Sequence, residues 1–216
     1  LVALILKNWL LPAEGKEATE VTSQSKPSAK EFRFVLFVGF VSAAGAIVEG
    51  VGIDWSALYS VDRFQVITAT AAISVTMFAS AMAAVRFFAD KVVAKLGRIA
   101  VIQGGAMIAA LGIGIALISP TVEISWFGWA LAGLGISAVV PQCMAFGSEI
   151  GSGNNRGRNL AKVVGLTYAG VLGGPAIIGF VGEVLGLQLA LSIGVALAMF
   201  VAIGAAIMVK GKQQIG

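Results

Sequence analysis

A carboxylate interrupts an apolar stretch at Glu49. Residues 34–44 read FVLFVGFVSAA, the run continues as GAIVEGVGIDW (45–55), and Asp54 follows beside Trp55. An acidic side chain at mid-membrane costs roughly 2.5–3.5 kcal/mol on insertion scales, so its presence asks for a use. Three chemistries are open. Glu49 can carry a proton, because desolvation disfavours a charged carboxylate. It can hydrogen-bond a polar solute such as a sugar, or it can pair with a base as a structural lock. On a helix, Ser42, Gly45, Glu49, Gly52 and Ser56 share one stripe of small or polar residues, while Val41, Ile47, Val48 and Val51 lie elsewhere around it. Glu49 is therefore expected to face a protein or water-filled interior, near the outward end of its span. The apolar spans offer no base to pair with it. Asp54 is expected nearer the surface, at a helix end or gate.

Other chemistry is scarce. The 216 residues contain no His, which removes His-ligated haem, His metal sites and His bases. Cys143 is alone, so no disulfide forms within the chain. No nucleophile–base pair stands out. Neither a catalytic role, a metal, a cofactor nor a nucleic-acid partner is expected.

The elements that position Glu49 follow from composition. The chain is 58% hydrophobic and 12% charged, with 28 glycines, and its mean hydropathy is +0.93. Soluble domains carry about twice that charge, whereas glycine is common in membrane helices. The fold class expected is all-α and integral to the lipid bilayer. A spanning helix needs about 20 apolar residues, and six runs qualify: 33–53, 65–86, 99–119, 124–147, 163–182 and 184–209. Connections alternate in charge. All 15 Lys and Arg except Arg63 fall on one set of connections or at the two ends of the bundle. By the positive-inside rule that side is cytoplasmic. Residues 12–32 read as a polar cytoplasmic linker, 33–209 as the six-helix bundle and 210–216 as a cytoplasmic tail. Residues 1–11, ending around Lys7 and Pro12 without an initiator Met, read as the tail of a preceding transmembrane helix. A fragment of a longer protein is expected.

Within the bundle, Gly170 with Gly174 and Gly182 with Gly186 form G-x-x-x-G pairs, which let helices approach closely. Pro175 and Pro141 remove backbone donors, and tight packing is preferred to a hinge at both. Trp55, Trp126 and Trp129 fall near outer span ends, where tryptophan favours the interface. Gln142, Thr167 and Tyr168 can bond a neighbouring helix or a solute, with helix bonding preferred. Glu149 is expected to pair with a nearby base.

The connection RFFADKVVAKLGRIAVI (86–102) is in its plainest reading a basic turn. It also resembles a variant of the loop motif of the major facilitator superfamily (MFS), an acid then a base, followed by x-Gly-base. Asp90 and Gly97 stand three residues further apart than usual, and Arg86 occupies the place of the leading Gly. EGVGIDWSALY (49–59), GLGISAVVP (133–141) and TYAGVLGGPAIIGFVGEVLGL (167–187) resemble the seventh, tenth and eleventh helices of the YbjJ-like MFS branch. Together these cover nearly the whole chain in order.

The resemblance implies the C-terminal half of a twelve-helix transporter, helices seven to twelve, with the N-terminal six-helix half as missing partner. It implies secondary active transport of a small-molecule polar substrate across a bacterial inner membrane. Cavity-lining residues of that family sit on helices corresponding here to 33–53 and 124–147, so Ser42, Glu49 and Gln142 would face the cavity, with Asp54 beyond them. Arg86, Asp90, Lys91, Gly97 and Arg98 would form cytoplasmic gating contacts. A non-transporting sensor or assembly subunit with the same fold is the alternative.

Overall fold

A computed structural model describes residues 28–151 and 154–213. The expected helix tail at 1–11, the linker up to residue 27 and the last three residues of the tail lie outside them. Among the described residues, seven helices make six membrane spans: α1 (Ala29–Phe64), α2 (Thr68–Leu96), α3 (Arg98–Ile118), α4 (Val122–Ile136), α5 (Val139–Gly147), α6 (Asn154–Leu185) and α7 (Leu187–Gln213). Helices α4 and α5 share the fourth span, Val122–Gly147. The all-α membrane fold expected from composition is the fold observed.

The helices outrun the hydropathy. The sequence pattern ends the first span at 53, yet α1 continues to Phe64. Polar residues such as Asp54 and Asp62 lower hydropathy without breaking the backbone ladder. The helix starts at an N-cap, where the Ser28 hydroxyl accepts from the Glu31 N–H at 3.1 Å. It stops only at Gln65, which turns left-handed at φ 55°. With 36 residues, α1 is about 54 Å long at 1.5 Å per residue, against an apolar bilayer core of about 30 Å. Glu49 lies twenty residues after Ala29 and fifteen before Phe64. It is thus near the helix middle, not near its outward end. The fifth span likewise begins well before 163, and α7 runs past 209 to Gln213.

Successive spans alternate direction, and contacts show which ends coincide. At one end Asn159 Nδ2 donates to Glu31 Oε1 at 2.8 Å, and Arg98 meets Glu149. This is the end that carries the basic connections. At the other end the final carbonyls of α3, which have no helical donors, are taken by side chains. Leu117 C=O accepts from Tyr59 Oη at 2.8 Å and Gln188 Nε2 at 3.0 Å. Ala116 C=O accepts from Ser119 Oγ at 3.0 Å and Ser125 Oγ at 3.1 Å.

Hydrocarbon solvent gives no hydrophobic drive between helices, so close packing must supply it. Helices α3 and α4 form the most extensive pairing. Gly105 and Gly112 on one, and Gly128 and Gly135 on the other, each put backbone against backbone, so that a Cβ at any of them would overlap the opposing main chain. The spacing of seven repeats on both helices. Gly170 does the same for α6 on α1, where a Cβ would come within 2.7 Å of the Ala43 carbonyl oxygen. Gly174 faces Ile47. The second expected pair behaves differently. Gly186 is the single residue between α6 and α7, with φ 88°, so it makes a turn and not a helix contact. Trp129, expected at the interface, is fully buried and packs edge-on against Tyr59 with ring centroids 6.3 Å apart.

Gly112 and Gly114 separate packing from propensity, because a Cβ at Gly114 has nothing within 4 Å. We expect Gly112→Ala to destabilise the purified protein by about 1–3 kcal/mol, read as a lowered thermal midpoint in detergent. Gly114→Ala should leave the midpoint unchanged or slightly raised. Equal effects would remove close helix contact as the cause.

Candidate functional site

A cavity of about 350 Å³ opens between α1, α5 and α6, with Arg86 of α2 at its edge. Its space comes from the sequence of its walls. Gly50 on α1 carries no side chain and meets only Asp54 of its own helix, Gly170 and Gly174 bring α6 against Ala43 and Ile47 of α1, and α5 enters at Val140 and Pro141. Pro175 lies inside α6, which continues through it. Having no N–H, it leaves the Val171 carbonyl without its helical donor, and both residues line the cavity. Ionisable and polar groups reach it from three helices: Glu49 and Asp54 from α1, Arg86 from α2, and Thr167 and Tyr168 from α6. Trp55, expected at the membrane interface, forms part of its wall. Asp54 is exposed, and α1 continues ten residues beyond it; the cavity, not a helix end, is where it lies.

Glu49 has a partner. Arg86 donates from a terminal guanidinium nitrogen to Glu49 Oε1 at 3.1 Å. The hydropathy pattern puts Arg86 at the boundary of its span, in a basic connection, and leaves Glu49 without a base. In the structure α2 runs ten residues past Arg86 to Leu96, which lifts the arginine into the bundle beside the acid. Its side chain is 49% exposed and that of Glu49 22%. A pair so open to the cavity is worth at most about 1 kcal/mol, and it leaves both groups within reach of a solute. Arg86 Nε also donates to the Ser137 carbonyl, at 3.4 Å.

The remaining expected site residues separate. Ser42 is fully buried and shares a 2.7 Å hydrogen bond with Thr167 between α1 and α6, so it packs helices and does not face the cavity. Gln142 turns away from the cavity as well, accepting from Arg98 Nε at 2.9 Å. Arg98 also pairs with Glu149, the partner expected for that acid. Gly97 forms the turn between α2 and α3 at φ 83°. Asp90 and Lys91 are exposed on the last turns of α2. The five residues of the 86–98 connection therefore serve two places: Arg86 the cavity, and the rest the basic end of the bundle. The Ser137 carbonyl was not anticipated. Pro141, four residues later, is the signal that could have revealed it.

No family model matches the chain. Curated relatives do. It is 34% identical over 158 residues to an uncharacterized MFS-type transporter of Yersinia pestis, covering 73% of this chain and 41% of that protein. It is 31% identical over 207 residues to the membrane protein MosC of Rhizobium meliloti, covering 92% and 49%. It is 29% identical over 150 residues to the uncharacterized transporter y4wD of Sinorhizobium fredii, covering 69% and 39%. The chain spans half or less of the length of these relatives. They and the six apolar spans make it an MFS-like integral membrane chain, related to proteins named as transporters.

The geometry predicts different access at two residues of one helical stripe. In full-length protein with Cys143 replaced by Ala, Glu49→Cys should react rapidly with a charged, water-soluble thiosulfonate. Ser42→Cys should react at least about tenfold more slowly, as a buried group waits for local opening. Equal rates would place both side chains in the same environment.

Proposed function

We propose that this chain is the C-terminal six-helix half of an MFS secondary transporter of the YbjJ-like branch. It moves a small polar solute by alternating access across a bacterial inner membrane, with the basic end of the bundle cytoplasmic. The observation that carries the reading is the Glu49–Arg86 pair beside an open cavity near the middle of α1. Ionisable side chains within spanning helices mark solute or ion paths by default. Transporter folds built from two halves place such sites at the half interface near the midplane. The chain's extent relative to its relatives, 41% and 49% of their length, supports one half of a longer protein. The other half would close the cavity that here lies open.

In this reading Glu49 is the group that exchanges a proton or grips the solute. Arg86, Asp54 and Tyr168 are the titratable groups that share its cavity. Ser42 and Gln142, bonded to Thr167 and Arg98, hold helices in place. The Arg98–Glu149–Gln142 cluster is the cytoplasmic latch, joining the start of α3 to α5. Asp90 and Lys91, exposed at the end of α2, are offered to the other half.

The test is uptake by full-length protein in liposomes, using a panel of radiolabelled sugars, polyols and amino acids under an imposed pH gradient. At least one solute should enter faster with acid outside. Glu49→Gln should lower that rate at least about tenfold, the worth of one charge-assisted hydrogen bond, and flatten its pH dependence. Unchanged uptake with the pH dependence intact would remove Glu49 from coupling. No uptake of any solute, together with specific capture of a partner protein, would favour a sensor or assembly subunit instead. Residues 1–216 alone should not transport, because one wall of the cavity is missing.

A further inference from the structure

In an α-helix the N–H of residue i bonds the carbonyl of residue i−4. For the Ser137 carbonyl that donor would be residue 141, which is proline and has none. Here the fourth span breaks. Helix α4 ends at Ile136, Ala138 takes φ −101° and ψ −7°, and α5 begins at Val139. The regular ladder resumes with Gln142 N–H to Ala138 C=O at 3.1 Å. Ser137 is fully buried, where a carbonyl without a donor is costly. Its own hydroxyl is turned to the Leu134 carbonyl at 2.9 Å. The donor it receives is Arg86 Nε, at 3.4 Å.

We propose that Arg86 is a positioning residue, standing in for the N–H that Pro141 lacks and tying the break between α4 and α5 to whatever engages Glu49. A guanidinium is a rigid planar fork. Its Nε and terminal nitrogen cannot be reoriented independently, so the bond to Ser137 and the bond to Glu49 constrain one another. A solute group that draws the Glu49 carboxylate away removes one anchor of the fork and shifts the other. What moves is α5, which presents Pro141 and Met144 to the cavity on one side and Gln142 to Arg98 on the other. The break is thus a joint whose setting is read from the cavity by one arginine. This concerns the build of the cavity wall and stands whether or not the chain transports.

Cys143, fully buried on α5 two residues past Pro141, supplies the reporter. In full-length protein in nanodiscs, with any other cysteines replaced, its reaction with N-ethylmaleimide measures local opening of α5. Arg86→Met keeps the unbranched stem as far as the position of Nε and removes both donors. It should speed labelling about tenfold or more, the loss of a charge-assisted bond to a buried carbonyl, and Arg86→Lys, a single cation without the fork, should recover only part of the protection. In a Pro141→Ala background the backbone supplies its own donor, and Arg86→Met should then change labelling less than about twofold. Glu49→Ala should speed labelling in the Pro141 protein and leave the Pro141→Ala protein unchanged. If Arg86→Met is not monodisperse, Arg86→Lys carries the same comparison with a ratio nearer threefold. Equal acceleration by the Arg86 change in both backgrounds, or none in either, overturns the proposal. Acceleration by Arg86→Met but not by Glu49→Ala overturns the link to the cavity. Because no solute is added, failure of the transport reading leaves this measurement intact.

Discussion

In hydrocarbon there is no water to bond a free backbone carbonyl, and each one left without a donor is expensive. This constraint orders the bundle. It keeps α1 helical through Asp54, only five residues past Glu49, because a helix that stopped there would strand four carbonyls at depth. It explains why Tyr59, Ser119, Ser125 and Gln188, from four places in the chain, converge on the last turn of α3. It also gives a reason for an arginine against the break between α4 and α5, at Ser137. At each of these places a side-chain donor meets a carbonyl that the regular ladder leaves free.

The same solvent removes the usual reason for helices to associate, and small residues take its place. The glycine ladder between α3 and α4, with Gly170 between α6 and α1, brings main chains into contact. Elsewhere the missing side chains leave space in place of contact. Gly50 faces only the Asp54 carboxylate of its own helix and borders the cavity. One residue type thus does both jobs. The difference is whether another helix or an opening lies opposite.

Much of this was legible in the sequence. Six spans follow from hydropathy alone, because the bilayer core fixes the length of an apolar run. The interior orientation of Glu49 follows from the stripe it shares with Gly45, Gly52 and Ser56; Gly52 indeed faces the Phe78 ring and Ser56 is fully buried. Helix ends were not legible, because hydropathy reports solvent and the ladder continues past it. That error hid the partner of Glu49: ending the second span at Arg86 assigns the arginine to a loop, whereas ten further helical residues place it beside the acid. Ser42 and Gln142 were misplaced for a different reason. Lying on a helix face toward the interior does not separate a cavity from a packed neighbour, and Thr167 and Arg98 come from elements distant in sequence. Trp129 follows the same rule, buried because Tyr59 meets it from another helix. The glycine spacing of seven was visible at 105, 112, 128 and 135, but nothing in one chain says which helices such faces join.

The short helix α5 draws these strands together. It has nine residues, begins after a break and ends in turns at Ser148–Glu149, so its own ladder ties it weakly to the rest of its span. Arginines from α2 and α3 flank it, Arg86 at the Ser137 carbonyl before it and Arg98 at Gln142 and Glu149 toward its end. Arg98 opens α3 at the positive end of that helix dipole, an unfavourable place for a cation, and the Glu149 carboxylate offsets it. Each arginine therefore answers a local electrostatic or hydrogen-bonding deficit, and both answers are made through α5. Val139, Cys143 and Phe146 pack α5 into the core, and the two arginines meet the polar groups at its ends, where bonds exchange partners more readily than packed side chains move. Pro141 and Met144 of α5 line the cavity while Gln142 turns to Arg98, so the short helix lies between Glu49's surroundings and the basic end.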